Sequence, residues 1–126
     1  MSKSSFTTPL IATPLSDGRR WRLFRSFTYH IGSRYSDNII RVPEGFITDF
    51  ASIPWVFWTF LPAWGKYGKA AVLHDYLYQS DRYQDREWAD LIFYEAMLVS
   101  GTKHWKAKVM YWAVRLFGWL AWRKQY

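Results

Sequence analysis

Ala70-Ala71-Val72-Leu73-His74-Asp75-Tyr76-Leu77-Tyr78 and, further on, Ala89-Asp90-Leu91-Ile92-Phe93 are the two stretches from which the fold is read. The spacing predicts a helix from Lys69 to Gln79. At about 100° per residue it sets His74 and Tyr78 on one face, with Asp75 one step round. Asp85-Arg86-Glu87 opens a second helix that runs to about Val99, where Ser100-Gly101 ends it. The linker between the two is short, so they are expected to lie antiparallel. Asp90 is a single carboxylate in the middle of an apolar segment. Burying it unpaired is costly, so it needs a donor, and His74 on the neighbouring helix is the candidate.

Upstream, the pattern changes from helical to alternating. Trp21, Leu23, Arg25, Phe27 and Tyr29 share one side of a predicted strand from Trp21 to His30. Asn38 to Val42 gives a second strand. Beyond Pro43-Glu44-Gly45, Phe46 to Thr48 continues the sheet, which is therefore antiparallel with two or three strands. The first twenty residues, ending in the turn residues Ser16-Asp17-Gly18, are expected as a loosely held extended arm. Ser52-Ile53-Pro54 caps and starts a short helix at Trp55, and Pro62 to Gly68 is a loop.

Downstream, Lys103 to Lys124 is helical with a narrow polar stripe at His104, Lys108, Tyr111 and Arg115. Ala107 to Trp122 holds only the charges of Lys108 and Arg115, yet it is shorter than the roughly 20 apolar residues that a bilayer span needs. Two readings stay open: a core helix packed against the pair, and an interfacial helix with its Trp and basic residues at lipid head-group level. The fold class is thus α+β: a small antiparallel N-terminal sheet, an antiparallel helix pair, then a basic, aromatic C-terminal helix. All of it fits one domain over residues 1–126.

Composition narrows the partners. The chain has 17 Lys and Arg against 10 Asp and Glu, a net charge of +7, which favours nucleic acid, lipid head groups or an acidic protein alike. The basic residues form no compact patch and no named nucleic-acid motif, so specific nucleic-acid recognition is not expected. Nine Trp, nine Tyr and nine Phe exceed what packing alone requires and point to an interface. With no Cys there are neither disulfides nor thiolate ligands, so any metal site is built from oxygen or imidazole. The N-terminal segment has no apolar run of the secretory kind, which implies synthesis in a cytoplasm.

A His bonded to an Asp is fixed in one tautomer, as a general base requires. Asp75 then remains to bind a cation. Calcium would want further oxygens, from the carbonyls of the Gly65 to Gly68 loop or from Asp49. Against this stands the plainer reading that the His74 and Asp90 pair only stabilises the helices. Asp49 or Ser52 can likewise be a cap for the Trp55 turn. There is no Ser-centred elbow, no phosphate-binding glycine loop and no metal-binding His pair.

Val42-Pro43-Glu44-Gly45-Phe46-Ile47-Thr48-Asp49-Phe50-Ala51-Ser52-Ile53-Pro54, together with the two helical stretches, resembles the domain of unknown function 1353 family over about Trp21 to Trp122. That family is common in tailed bacteriophages and prophages. The resemblance implies a phage protein made in the host cytoplasm and acting as a virion, assembly or host-interaction component, with phage or host proteins as partners. The helix pair is also similar to phospholipase A2, through His74, Asp75, Tyr78 and Asp90. This similarity implies a lipid hydrolase in which His74 is the base, Asp90 orients it, Tyr78 supports the pair and Asp75 binds calcium at an anionic membrane. Trp64-Gly65-Lys66-Tyr67-Gly68 only loosely imitates the glycine-rich calcium loop of that family.

Overall fold

A computed structural model describes residues 5–6, 11–16, 20–32, 38–48, 68–79 and 85–119. The chain forms two compact units, Met1–Asp49 and Phe50–Tyr126. The first is all β and the second is helical among the described residues, in agreement with the α+β expectation.

Among the described residues six strands make two three-stranded antiparallel sheets: β1 (Ser5–Phe6), β4 (Phe27–His30) and β5 (Ile39–Val42) in one, and β2 (Ala12–Pro14), β3 (Trp21–Leu23) and β6 (Ile47–Thr48) in the other. The single strand expected from Trp21 to His30 is therefore two strands. Leu23 explains the break. Its N–H donates to the Phe46 carbonyl and its own carbonyl accepts from Gly45, each at 2.9 Å, while Phe24 N–H donates to Ile11 at 2.8 Å. The backbone then bends through Phe24 and Arg25 and joins the other sheet. Burial on the expected side survives the bend, with Leu23, Phe27 and Tyr29 all buried.

In the β1, β4, β5 sheet the register sets Phe27 opposite Val42 and Tyr29 opposite Ile40. The Phe6 ring lies 5.8 Å from Phe27 and 4.7 Å from Tyr29, so one apolar cluster spans all three strands. The expected arm thus supplies β1 and β2 where it is described. Pro14 is tolerated because β2 is an edge strand. The helix start at Trp55 and all but the end of the Pro62 to Gly68 loop lie outside the described residues.

The helical unit contains α1 (Gly68–Gln79), α2 (Arg86–Val99) and α3 (His104–Phe117). Helix α1 begins one residue earlier than the spacing implied. It is buried nearly all round: of its residues only Gln79 is exposed, with Lys69 and Tyr76 half-buried. Such a helix has no solvent face on which to place polar groups, so His74 and Asp75 are interior residues that need partners. Asp85 caps α2 by accepting from Trp88 N–H at 3.2 Å, and Gly101 takes the left-handed conformation that ends the helix region, at φ 92°. Helix α3 runs to Phe117 with Gly118 as its cap, Trp119 is helical again, and the rest of the expected helix to Lys124 lies outside the described residues.

Pro43-Glu44-Gly45-Phe46 turns the chain between the two sheets, with Phe46 N–H donating to Pro43 at 3.2 Å and Gly45 at φ 87°. That is the left-handed third position of a type II turn. A Cβ at Gly45 would meet nothing within 4 Å, so its cost is conformational alone. Gly45→Ala should lower the free energy of unfolding by about 1–2 kcal/mol, with Gly45→Asn losing less. Urea denaturation should show the midpoint falling at unchanged slope; an unchanged midpoint would refute the turn assignment.

Candidate functional site

His74 and Asp75 come from the middle of α1, Tyr78 from its next turn, and Asp90 from the first half of α2. His74 Nε2 lies 2.6 Å from Asp90 Oδ1, and the Tyr78 hydroxyl donates to the same oxygen at 2.5 Å. His74 and Asp90 have no exposed surface. The imidazole is packed between two rings, with centroids 4.2 Å from Tyr78 and 4.6 Å from Phe93. The pairing that the sequence suggested is therefore present, with Tyr78 as its third member. Contacts of α2 with Tyr78 and His74 progress in the opposite sense along the two helices, as antiparallel neighbours require.

The other oxygen of Asp90 is held by two arginines that the sequence reading did not single out. Arg115 Nη1 donates to Oδ2 at 2.8 Å from α3, and Arg86 Nη1 approaches it at 3.5 Å from one turn earlier in α2. Arg86 also donates to the carbonyls of Val114 at 3.0 Å and Arg115 at 3.1 Å. These carbonyls belong to the last turn of α3, at its negative dipole end, where Val114 also accepts from Gly118 N–H at 2.8 Å, so the guanidinium acts as an additional cap. The spacing of Arg86 and Asp90, four apart on one helix, was a legible signal. Arg115 was visible only as the last member of the polar stripe on α3.

Gly118 completes the enclosure. A Cβ there would stand 2.6 Å from the Tyr78 hydroxyl and would also collide with the Val114 carbonyl. The close approach of this end of α3 to α1 thus depends on a residue without a side chain.

Charge follows from these contacts. Burial pushes the Asp90 carboxyl up, but the bonds from His74, Tyr78 and Arg115 outweigh it and hold the group below its ordinary value of 3.8. Asp90 is therefore a carboxylate, an acceptor only, and His74 Nε2 must carry the proton between them. Burial, followed by the Asp90 charge and the bond to it, pushes the Tyr78 phenol far above its ordinary value of 10.0. The bond to Asp90 likewise raises Arg115.

Asp75, the expected cation ligand, is buried, and its Oδ2 accepts from Gln79 Nε2 at 3.3 Å. Asp49, the second expected ligand, lies outside the described residues, as do the loop carbonyls before Gly68. Among the described residues no three His, Asp or Glu side chains converge as metal ligands. One buried carboxylate bonded to an amide falls well short of the six to eight oxygens that calcium takes. The described residues do not by themselves fit that ion.

A family model described as "Protein of unknown function (DUF1353)" matches residues 21–114, which include β3 to β6, the described helix pair and most of α3. The chain is 42% identical over 79 residues to the uncharacterized protein y4jT of Sinorhizobium fredii. That match covers 61% of this chain and only 23% of the relative, so the chain spans less than a quarter of that protein's length. No solved structure matches.

The pH dependence of stability follows from the two shifted groups. Asp90 is depressed when folded, so its contribution is complete above 3.8 and is lost as pH falls below that value. Tyr78 is raised when folded, so the unfolded chain ionises first and stability falls as pH rises above 10.0. Tyr78→Phe should cost about 1 kcal/mol at pH 7. It should also flatten the alkaline limb by up to about 1.4 kcal/mol per pH unit. Urea unfolding between pH 3 and pH 11 measures both, and an alkaline limb identical in the variant would contradict the buried phenol.

Proposed function

The chain belongs to the DUF1353 family, and within it we propose a hydrolase of lipid esters, acting as phospholipase A2 does, with His74 as the general base. One observation supports this reading: a buried carboxylate lies 2.6 Å from Nε2 of the imidazole and fixes the ring and its Nε2 proton. A base has to be held in that state before it can take a proton from water.

In the step that follows, Nδ1 of His74 accepts a proton from water while the water oxygen bonds to the ester carbonyl carbon. The tetrahedral intermediate then collapses, the bond from that carbon to the alcohol oxygen breaks, and the proton on Nδ1 passes to the leaving alcohol. The products are a fatty acid and a lysolipid. Asp90 stays ionised throughout and stabilises the imidazolium as it forms, while Tyr78 keeps the carboxylate in place.

A second reading has its own support. Two arginines occupy the far oxygen of Asp90, and one of them caps α3, so the cluster also explains itself as a structural tie in a virion, assembly or host-interaction component. A phage origin belongs to this same proposal.

The two separate on purified protein with mixed phosphatidylcholine and phosphatidylglycerol vesicles, assayed for fatty-acid release with calcium and with chelator. The hydrolase reading predicts release that falls by about 10²- to 10⁴-fold in His74→Gln. Circular dichroism must show the variant folded. No release from folded wild-type protein, or the same release from His74→Gln, would leave the virion or host-binding role.

A further inference from the structure

Helix α3 is apolar on two opposite sides. The inner side, Ala107, Met110, Ala113 and Val114, is buried. On the outer side Trp105, Val109, Trp112 and Leu116 recur at helical spacing and are 58%, 38%, 59% and 61% exposed. An isolated exposed apolar residue is ordinary, but a stripe holding two indoles marks a contact surface.

The charge around the stripe is all of one sign. Residues 103–119 contain no Asp or Glu, while Lys103, Lys106 and Lys108 flank Trp105. The Lys106 ammonium lies 5.6 Å from the Trp105 ring centroid. This arrangement opposes the helix's own preference, because a helix start carries positive dipole and favours acidic residues. Here Lys103 is the N-cap without a side-chain cap bond, and the first turn has no acidic residue. A local rule broken on an exposed end is what an anionic partner would offset.

We infer that α3 lies in the plane of an anionic lipid surface, with Trp105, Trp112 and Leu116 at the boundary between head groups and acyl chains and the lysines on the phosphates. Over its described residues α3 is too short to cross: 14 residues extend about 21 Å against a hydrocarbon core of about 30 Å. No helix among the described residues is long and apolar enough to span. A protein partner fits less well, since lysine is depleted at protein interfaces, whereas helices that lie on membranes combine Trp with Lys. The inference rests on α3 alone and holds whether or not His74 cleaves an ester.

Flotation of the full chain with vesicles of ether-linked lipids, which no esterase can cleave, separates binding from hydrolysis. Vesicles with about one-third phosphatidylglycerol should capture the protein at least about tenfold better than phosphatidylcholine alone, and salt should weaken the capture. The double variant Trp105→Ser with Trp112→Ser should lose about tenfold or more while keeping its helical spectrum, and Lys106→Glu with Lys108→Glu should lose the preference for anionic lipid. Equal capture by both vesicle types, or capture unaffected by the tryptophan variant, would overturn the inference. So would a wild-type dimer that the tryptophan variant converts to monomer, because a second copy would then cover the stripe.

Discussion

A carboxylate with no exposed surface must find donors inside the protein, and Asp90 draws them from all three described helices. His74 and Tyr78 reach one oxygen from α1, Arg115 reaches the other from α3, and Arg86 approaches it from within α2. Each donor is tied into something further. Tyr78 faces Gly118 at the end of α3, His74 is stacked between Tyr78 and Phe93, and Arg86 caps the last carbonyls of α3. Removing the carboxylate would take away the acceptor that His74, Tyr78 and Arg115 share, a loss of the kind that costs about 3–5 kcal/mol when a buried pair is broken. Small buried residues recur in all three helices, Ala71, Ala89, Ala96, Ala107 and Ala113 among them.

The same constraint shapes what the cluster can do. A group bonded from four sides is rigid, and rigidity is what an orienting residue for a general base supplies. Asp75, by contrast, is buried and accepts from Gln79. Helix α3 links the cluster to the surface: Arg115 faces inward to Asp90, while Trp112 and Leu116, its neighbours on the helix, face outward.

How far this was visible in the residues depends on the scale of the interaction. Helix starts and stops were legible because caps are local: Asp85 and Gly101 act within a few residues of themselves. The pairing of His74 with Asp90 was legible because an antiparallel pair has a fixed register and a buried carboxylate has few possible partners. Arg115 was not legible as a partner, since the register of α3 against α2 is set by packing that no short spacing encodes. The split of the expected Trp21 to His30 strand was hidden for a similar reason. Alternation continues across Phe24 and Arg25, and only the pairing of Leu23 with Phe46 and Gly45 reveals that the backbone changes sheet there. Asp49 and the loop before Gly68 fall outside the described residues.

The most direct test of the account is the protonation of the His74 ring by nitrogen-15 NMR at neutral pH. The chain has three histidines, so His74 is assigned by the signal missing from His74→Gln. The account predicts a single neutral tautomer with the proton on Nε2, a slowly exchanging ring proton shifted downfield by its bond to Asp90, and loss of both features in folded Asp90→Asn. A proton on Nδ1, or a rapidly exchanging mixture of tautomers in the wild-type protein, would contradict it.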